Sequence, residues 1–346
     1  MECRLVKQGF EQGSCQVFDR ASGQYRKACD ATLKIVKGTP HRLIHGSFLS
    51  RPEHYLSIYQ SGCNLSCKKC HSWQFTQHAV GEWVSPREVA TAVKRYLTDY
   101  EITSVPREQA TSWHAHELCK GCGRCILQGE RSEHCPGVLS LDKIELSPQG
   151  WGPARNIAAF TGGDLTCQPE FYVQSTELIK GLPERVWVLI ETNGYGLTPE
   201  NLDLLQDAGV DAFWLDIKAY DDEVHRRLTC VSNARILQLP EELKERGFVL
   251  EVLALCIPGW VEADQIGQIA ETIAAVDTEI PFTILAFFPA YQMRDVPPPS
   301  LEQMIDACLA ARAAGLRKIK LGNVHLVAHT REDYETLERI VGRDSL

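Results

Sequence analysis

No apolar stretch of this 346-residue chain approaches the roughly 20 residues needed to cross a bilayer, so no membrane span is expected. The N-terminus, Met-Glu-Cys-Arg-Leu-Val-Lys, lacks the apolar core of a secretory leader, and a cytoplasmic location is the expectation. There is no long Lys/Arg run. With 36 basic and 45 acidic residues the net charge is −9, which argues against nucleic acid or an anionic membrane as the main partner. Internal repeats and low-complexity tracts are also missing. Cysteine is what the chain has in quantity: fourteen residues. In a secreted protein they would suggest disulfides, but their clustered spacings favour metal.

Residues 1–53 are polar and weakly periodic. Residues 55–60 read as a strand leading straight into a cysteine loop. Residues 86–99 read as a helix, with Ser85 as N-cap and Pro86 at its first position. Residues 104–150 break the pattern. Beyond them, near-continuous apolar strands are predicted at 156–160, 186–190, 212–217, 248–256 and 282–288, with 319–326 as a further candidate. Helical patterns fall near 169–180, 199–207, 234–246, 263–275 and 300–314. This alternation indicates a parallel sheet covered by helices. The expected fold is α/β, a partial TIM-like (β/α)6 barrel with its site at the C-terminal strand ends. The expected organisation is an N-terminal extension (1–54), a barrel (55–340) and a small cysteine-rich insertion within it (104–150).

The first motif is Ser61-Gly-Cys-Asn-Leu-Ser-Cys-Lys-Lys-Cys-His71. Cys63, Cys67 and Cys70 offer three thiolates to one compact site. A 4Fe–4S cluster normally takes four, so one iron would stay open to a ligand. A structural zinc site is the alternative, although zinc usually wants four ligands from spaced pairs. Further motifs follow predicted strands: Thr161-Gly162-Gly163-Asp164, Glu191-Thr192-Asn193-Gly194, Asp216-Ile-Lys218 and Ile257-Pro-Gly-Trp260. Each alone could be a strand-ending turn or, for Asp216 and Lys218, a structural ion pair.

Taken together and in this order, over roughly residues 55–295, these motifs resemble the radical S-adenosylmethionine (SAM) superfamily. Within it they resemble the branch that activates glycyl-radical enzymes such as pyruvate formate-lyase. The resemblance implies that SAM binds the open iron and is split reductively to a 5′-deoxyadenosyl radical. It implies cofactor contacts at Thr161, Gly162, Gly163, Asp164, Glu191, Thr192 and Asn193, and roles beside SAM for Asp216 and Lys218. The family usually has an aromatic residue near adenine just before the third cysteine. Here that position is Lys69, with His71 and Trp73 close by as substitutes.

Cys119, Cys122 and Cys125 form a C-x2-C-x2-C group, and Cys135 follows, preceding Pro136. The spacing is ferredoxin-like and predicts a second, auxiliary 4Fe–4S cluster with electron relay as its role; a four-thiolate zinc knuckle is the alternative. Cys3, Cys15 and Cys29 lack tight metal spacing and read as buried or unremarkable thiols. Cys167 reads as a packed small hydrophobe, and Cys230, Cys256 and Cys308 as core residues.

The expected function is therefore hydrogen abstraction from a backbone Cα, or a similar carbon, of a partner protein or peptide, with glycyl-radical formation as the outcome. A low-potential donor of flavodoxin or ferredoxin type would supply the electron. The rival is a cobalamin-dependent radical SAM methyltransferase acting on a partner protein. The usual cobalamin motif, Asp-x-His-x-x-Gly, is missing, as is the N-terminal Gly-Pro-Gly typical of activating enzymes.

Overall fold

A computed structural model describes residues 3–346. Seven strands pair in parallel in chain order: β1 (Leu56–Gln60), β2 (Ile157–Gly162), β3 (Trp187–Thr192), β4 (Ala212–Asp216), β5 (Val249–Cys256), β6 (Phe282–Ala286) and β7 (Ile319–Gly322). Ala158 of β2, for example, lies between Leu56 and Val188. Parallel neighbours need crossover connections. Helices supply them, among them Pro86–Asp99, Glu170–Lys180, Pro199–Asp207, Ala263–Ala274 and Leu301–Ala313. The sheet stays open among the described residues: β7 is one edge, and the hairpin of Leu33–Val36 and Thr39–Leu49 extends the other beyond β1. The architecture is thus the expected partial barrel, with the strand at 319–322 as its seventh.

Successive strand residues point to opposite faces. Outward residues such as Ile58, Phe160, Val188, Phe213 and Ile284 pack against the helices in the main core. Inward ones near the strand starts, among them Tyr55, Ile157, Ala159, Leu189 and Ala212, form a smaller inner core. Residues 105–113 close that end of the barrel. Glu251 on β5 accepts from Ser112 Oγ and the Trp113 amide, Trp187 Nε1 donates to the Val105 carbonyl, and the fully buried Arg155 donates to the carbonyls of Gln109 and Thr111.

The helix at 86–99 begins as its sequence predicts: Ser85 and Glu88 form a capping box, with Pro86 at the first position. The expected helix at 234–246 instead splits into a 3-10 turn, Ile236–Gln238, and a helix, Leu239–Glu245. Pro240 has no amide to continue a longer ladder. Helices Asp222–Thr229 and Arg331–Val341 and the strands before β1 lie outside the sequence expectation. Cys256 and Cys308 are core residues, but Cys230 is exposed: it caps helix Asp222–Thr229 in the left-handed conformation, φ 67°.

Candidate active site

The strands end on a cavity of about 330 Å³, within the range of small-molecule sites. Cys63, Cys67 and Cys70 line it from the loop after β1. Thr161, Gly162 and Asp164 line it from the end of β2, Glu191, Thr192 and Asn193 from β3, and Asp216 and Lys218 from β4. Lys69 and His71 complete the residues expected from sequence. Gly163 is the exception and packs instead: a Cβ there would lie 2.1 Å from the Gly62 carbonyl oxygen, so the β2 end can meet the cysteine loop only at glycine. Gly162, at φ +83°, would likewise strike the Phe75 ring.

The cysteine loop is pinned on all sides. The Asn64 amide donates to the Asp164 carbonyl at 2.8 Å and the Lys68 amide to the Leu228 carbonyl at 2.9 Å. The Ser66 amide donates to Ser14 Oγ at 2.8 Å. Trp260, in the turn after β5, lies beneath the Arg227 guanidinium at 4.4 Å and Lys68 Nζ at 5.7 Å, which gives the Ile257–Trp260 motif a packing role. The three thiols are free. Burial pushes Cys63 up, with Asp164 and Cys67 adding to the effect, and pushes Cys67 up to about 11 against the opposing influence of Lys218. Thiolates here therefore need a positive partner, and the site offers donors to one of them: the Leu65 amide and Asn193 Nδ2 approach Cys63 Sγ at 3.5 and 3.6 Å. The donor set fits a three-thiolate cluster. No three His, Cys, Asp or Glu side chains among the described residues converge tightly enough to hold a single metal ion.

Asp164 is saturated by the protein. Its Oδ1 accepts from the Thr166 amide and hydroxyl, both at 2.8 Å; its Oδ2 accepts from Thr192 Oγ1 at 2.6 Å and the Asn193 amide at 3.0 Å. Its carboxylate therefore organises the β2 and β3 ends. Asp216 and Lys218 form a mostly buried ion pair. Burial opposes ionisation of both, but mutual attraction outweighs it: Asp216 is held below the usual carboxylate range and Lys218 above its ordinary value. Lys69 is pulled down to about 8 by burial and by Lys218. His71 falls to about 4 by burial, Lys69 and Lys218, and its ring meets Phe288 edge-on at 6.2 Å. Trp73 stacks on Tyr291 away from the cavity.

Glu191 faces down the barrel. Tyr55 Oη donates to it at 2.9 Å and Thr161 Oγ1 at 2.5 Å. Burial, reinforced by Glu53 and Glu251, pushes its carboxyl up to about 8. Ser57, Tyr59, Trp214, Leu255, Phe288 and Asn323 also line the cavity and were not foreseen. The period-2 alternation of β1 was the available signal for Ser57 and Tyr59. Trp214 Nε1 and Asp216 Oδ1 are buried at the cavity without hydrogen-bond partners among the described residues, places that a polar ligand would satisfy.

Cys119, Cys122, Cys125 and Cys135 lie elsewhere. Burial raises the Cys119 thiol, and the three other cysteines are near enough to add to that shift. The Cys119 carbonyl is 3.2 Å from His54 Nε2, two residues before β1 begins. Gly152 presses on the same imidazole, where a Cβ would come within 2.3 Å. The triplet follows the other end of β1. At about 3.3 Å per strand residue, the two cysteine groups are separated by on the order of 20 Å, at opposite ends of the barrel.

Parts of the chain are similar in sequence to known proteins. Residues 145–273 match the family model described as the radical SAM superfamily. A protein of Methanocaldococcus jannaschii named as a glycyl-radical enzyme activating enzyme is 32% identical over 130 residues, which are 36% of this chain and 48% of that protein. The 4-hydroxyphenylacetate decarboxylase activating enzyme of Clostridium scatologenes is 27% identical over 203 residues, 55% of this chain and 62% of that protein. The chain thus spans about half to two thirds of the length of these relatives. A solved domain of pyruvate-formate lyase-activating enzyme from Bacteroides vulgatus overlaps with a TM-score of 0.40 at 22% identity, over 48% of this chain and 98% of that one. No helix among the described residues is long and apolar enough to cross a membrane. With its cysteine loop at the head of a parallel α/β sheet, the chain carries a segment, residues 145–273, that matches the radical SAM superfamily, and it is similar to activating enzymes of glycyl-radical enzymes.

Proposed function

We propose that this protein cleaves SAM reductively and abstracts hydrogen from a carbon of a partner polypeptide, with glycyl-radical activation as the outcome. One observation carries the reading: the three thiols of Cys63, Cys67 and Cys70 open into the same cavity as the polar ends of β2, β3 and β4. When bound, the cluster, reduced by one electron from a low-potential donor, would supply with SAM the radical chemistry: the S–C5′ bond of SAM would break to release methionine and a 5′-deoxyadenosyl radical, which would become 5′-deoxyadenosine on taking the hydrogen atom.

The chain's own residues do the rest. Cys63, Cys67 and Cys70 hold the cluster as thiolates. Asp164 fixes Thr192 and Asn193, and Asn193 Nδ2 in turn reaches Asn64 Oδ1 at 2.7 Å, so the β3 end and the cysteine loop keep one spacing. Asp216 keeps Lys218 protonated at the cavity wall, where its charge suits a ligand carboxylate. Lys69 and His71, with Phe288 beside His71, occupy the wall expected to face adenine. Inward polar groups and the plug of residues 105–113 keep bulk water from the barrel interior. Cys119, Cys122, Cys125 and Cys135 hold an auxiliary cluster.

The test is anaerobic incubation of the reconstituted protein with SAM and dithionite. Formation of 5′-deoxyadenosine, lost when Cys63, Cys67 and Cys70 are replaced by Ala, is the expected result. An intact cluster that yields no 5′-deoxyadenosine would sink the proposal.

A further inference from the structure

Four cysteines that look unrelated in sequence meet in space. Cys3 precedes the short helix Arg4–Lys7, Cys15 precedes the strand Gln16–Asp19, Cys29 lies in helix Ala28–Thr32, and Cys167 follows β2. Cys15, Cys29 and Cys167 are buried in one contact cluster with Leu5, Val17, Ala28, Ala31 and Leu165, and Cys3 packs against it. The thiols also sense one another electrostatically in all six pairings. Every one of the four is free.

Packing alone is the competing account, because buried cysteine behaves as a small hydrophobe. It fits Cys256 and Cys308, two thiols among the many apolar side chains of the helix-backed core. It does not explain why four separate segments deliver a thiol to one place, or why three of the eight buried members of a cluster this small are cysteine. A comparable gathering occurs at Cys119, where Cys122, Cys125 and Cys135 come near enough to raise its thiol further.

We propose that Cys3, Cys15, Cys29 and Cys167 ligate a further iron–sulfur cluster of the fully thiolate-bound type. No three of these thiols converge as tightly as a single ion would need. A tetrahedral zinc ion keeps its thiolates within one coordination sphere, with Zn–S about 2.3 Å. A cluster puts each thiolate on a separate iron and spaces them wider. The apolar lining excludes water from such a group. The site also abuts the triplet. Ser14, next to Cys15, holds the Ser66 amide of the triplet loop, and Asp164, three residues before Cys167, accepts the Asn64 amide through its carbonyl. This site therefore lies on the triplet's own side of the barrel, whereas the Cys119 group lies at the opposite end.

The proposal is independent of SAM cleavage, and its test reads metal alone. Wild-type full-length protein and the Cys15→Ser/Cys29→Ser variant are purified anaerobically, reconstituted, and analysed for iron, sulfide and zinc, with Mössbauer spectra of 57Fe-labelled samples. The double variant should lose about four irons and about four sulfides per chain relative to wild type, whatever the other cysteine groups hold. Because that variant could misfold, a second protein replaces Cys63, Cys67, Cys70, Cys119, Cys122, Cys125 and Cys135 with Ala; it should retain about four irons with a 4Fe–4S spectrum. Unchanged iron in a folded double variant, no iron in a folded seven-cysteine variant, or one zinc per chain in place of the iron would each overturn the assignment.

Discussion

The Thr192 hydroxyl donates to Oδ2 of Asp164 at 2.6 Å, joining the ends of two neighbouring strands through one carboxylate that also serves the Asn193 amide and Thr166. Replacing Asp164 with Ala strands several buried donors. Each unsatisfied group costs about 1–3 kcal/mol, and relaxation of the loop offsets part of the sum. Asp164→Ala should lose on the order of 3 kcal/mol in denaturant unfolding of the metal-free protein, and SAM binding should weaken with it. Asp164→Asn, which keeps an acceptor, should lose less. Equal losses for the two would refute the account of Asp164 as an acceptor hub.

Asp216 and Lys218 form the second buried relationship, and Lys69 shares their field. Asp216→Asn leaves two buried lysines facing each other without their counter-charge. Breaking a buried pair by removing one partner costs about 3–5 kcal/mol. The variant should unfold earlier in denaturant by an amount of that order, and one lysine should deprotonate near neutral pH, detectable by NMR of labelled lysine. Asp216→Asn/Lys218→Met should recover part of the stability. No recovery would mean that the pair is not the cause.

Glu191 predicts a pH dependence. Its folded value, about 8, stands above the ordinary 4.5 because burial, with Glu53 and Glu251, disfavours the charge. The folded state therefore holds a proton that the unfolded state has released between these values. Stability from this group is fully present below about pH 4.5 and is lost as pH rises through about 8. Glu191→Gln removes that slope. Melting temperatures of metal-free protein should match wild type near pH 5 and exceed it at pH 8.5, by an amount equivalent to a few kcal/mol. A parallel pair of pH profiles would count against it.

At the auxiliary loop, Cys122→Ser should remove about four irons per chain and open residues 119–135 to limited proteolysis, because most of that segment is exposed and no regular element longer than one short helix braces it. Arg343 reaches the Glu133 carbonyl, and Gly121 donates to Cys119 Sγ. Cleavage elsewhere in the barrel would show that the loop is not a separate unit of order.

The parallel strands and the motifs at their ends were legible because the same residues carry both signals: an apolar run buried on both faces, then a polar segment where the run stops. Ser85, Glu88 and Pro86 made one helix start equally plain. The strands before β1 were not legible. Thr39–Leu49 pairs with β1 and with Glu82–Val84 at once, and a register shift between Ile44 and Gly46 breaks its alternation. Arg42 within it is fully buried only because Tyr172 and the Ser61 carbonyl, distant in sequence, receive it. The roles of Asp164 and Gly163 were hidden for a similar reason: a motif states which residues gather, while hydrogen-bond saturation and backbone approach decide which of them face a ligand. Cys3, Cys15, Cys29 and Cys167 have no common spacing, and only tertiary folding juxtaposes them.

The plug of residues 105–113 and the cysteine loop beyond it seal one pole of the barrel, while the cavity opens at the other. A large macromolecule seated over the mouth casts no steric shadow on the sealed pole. Under the proposed function, a donor meeting the Cys119 loop would find its pole uncovered while a partner polypeptide sat over the mouth, so the two could be held at once and in either order.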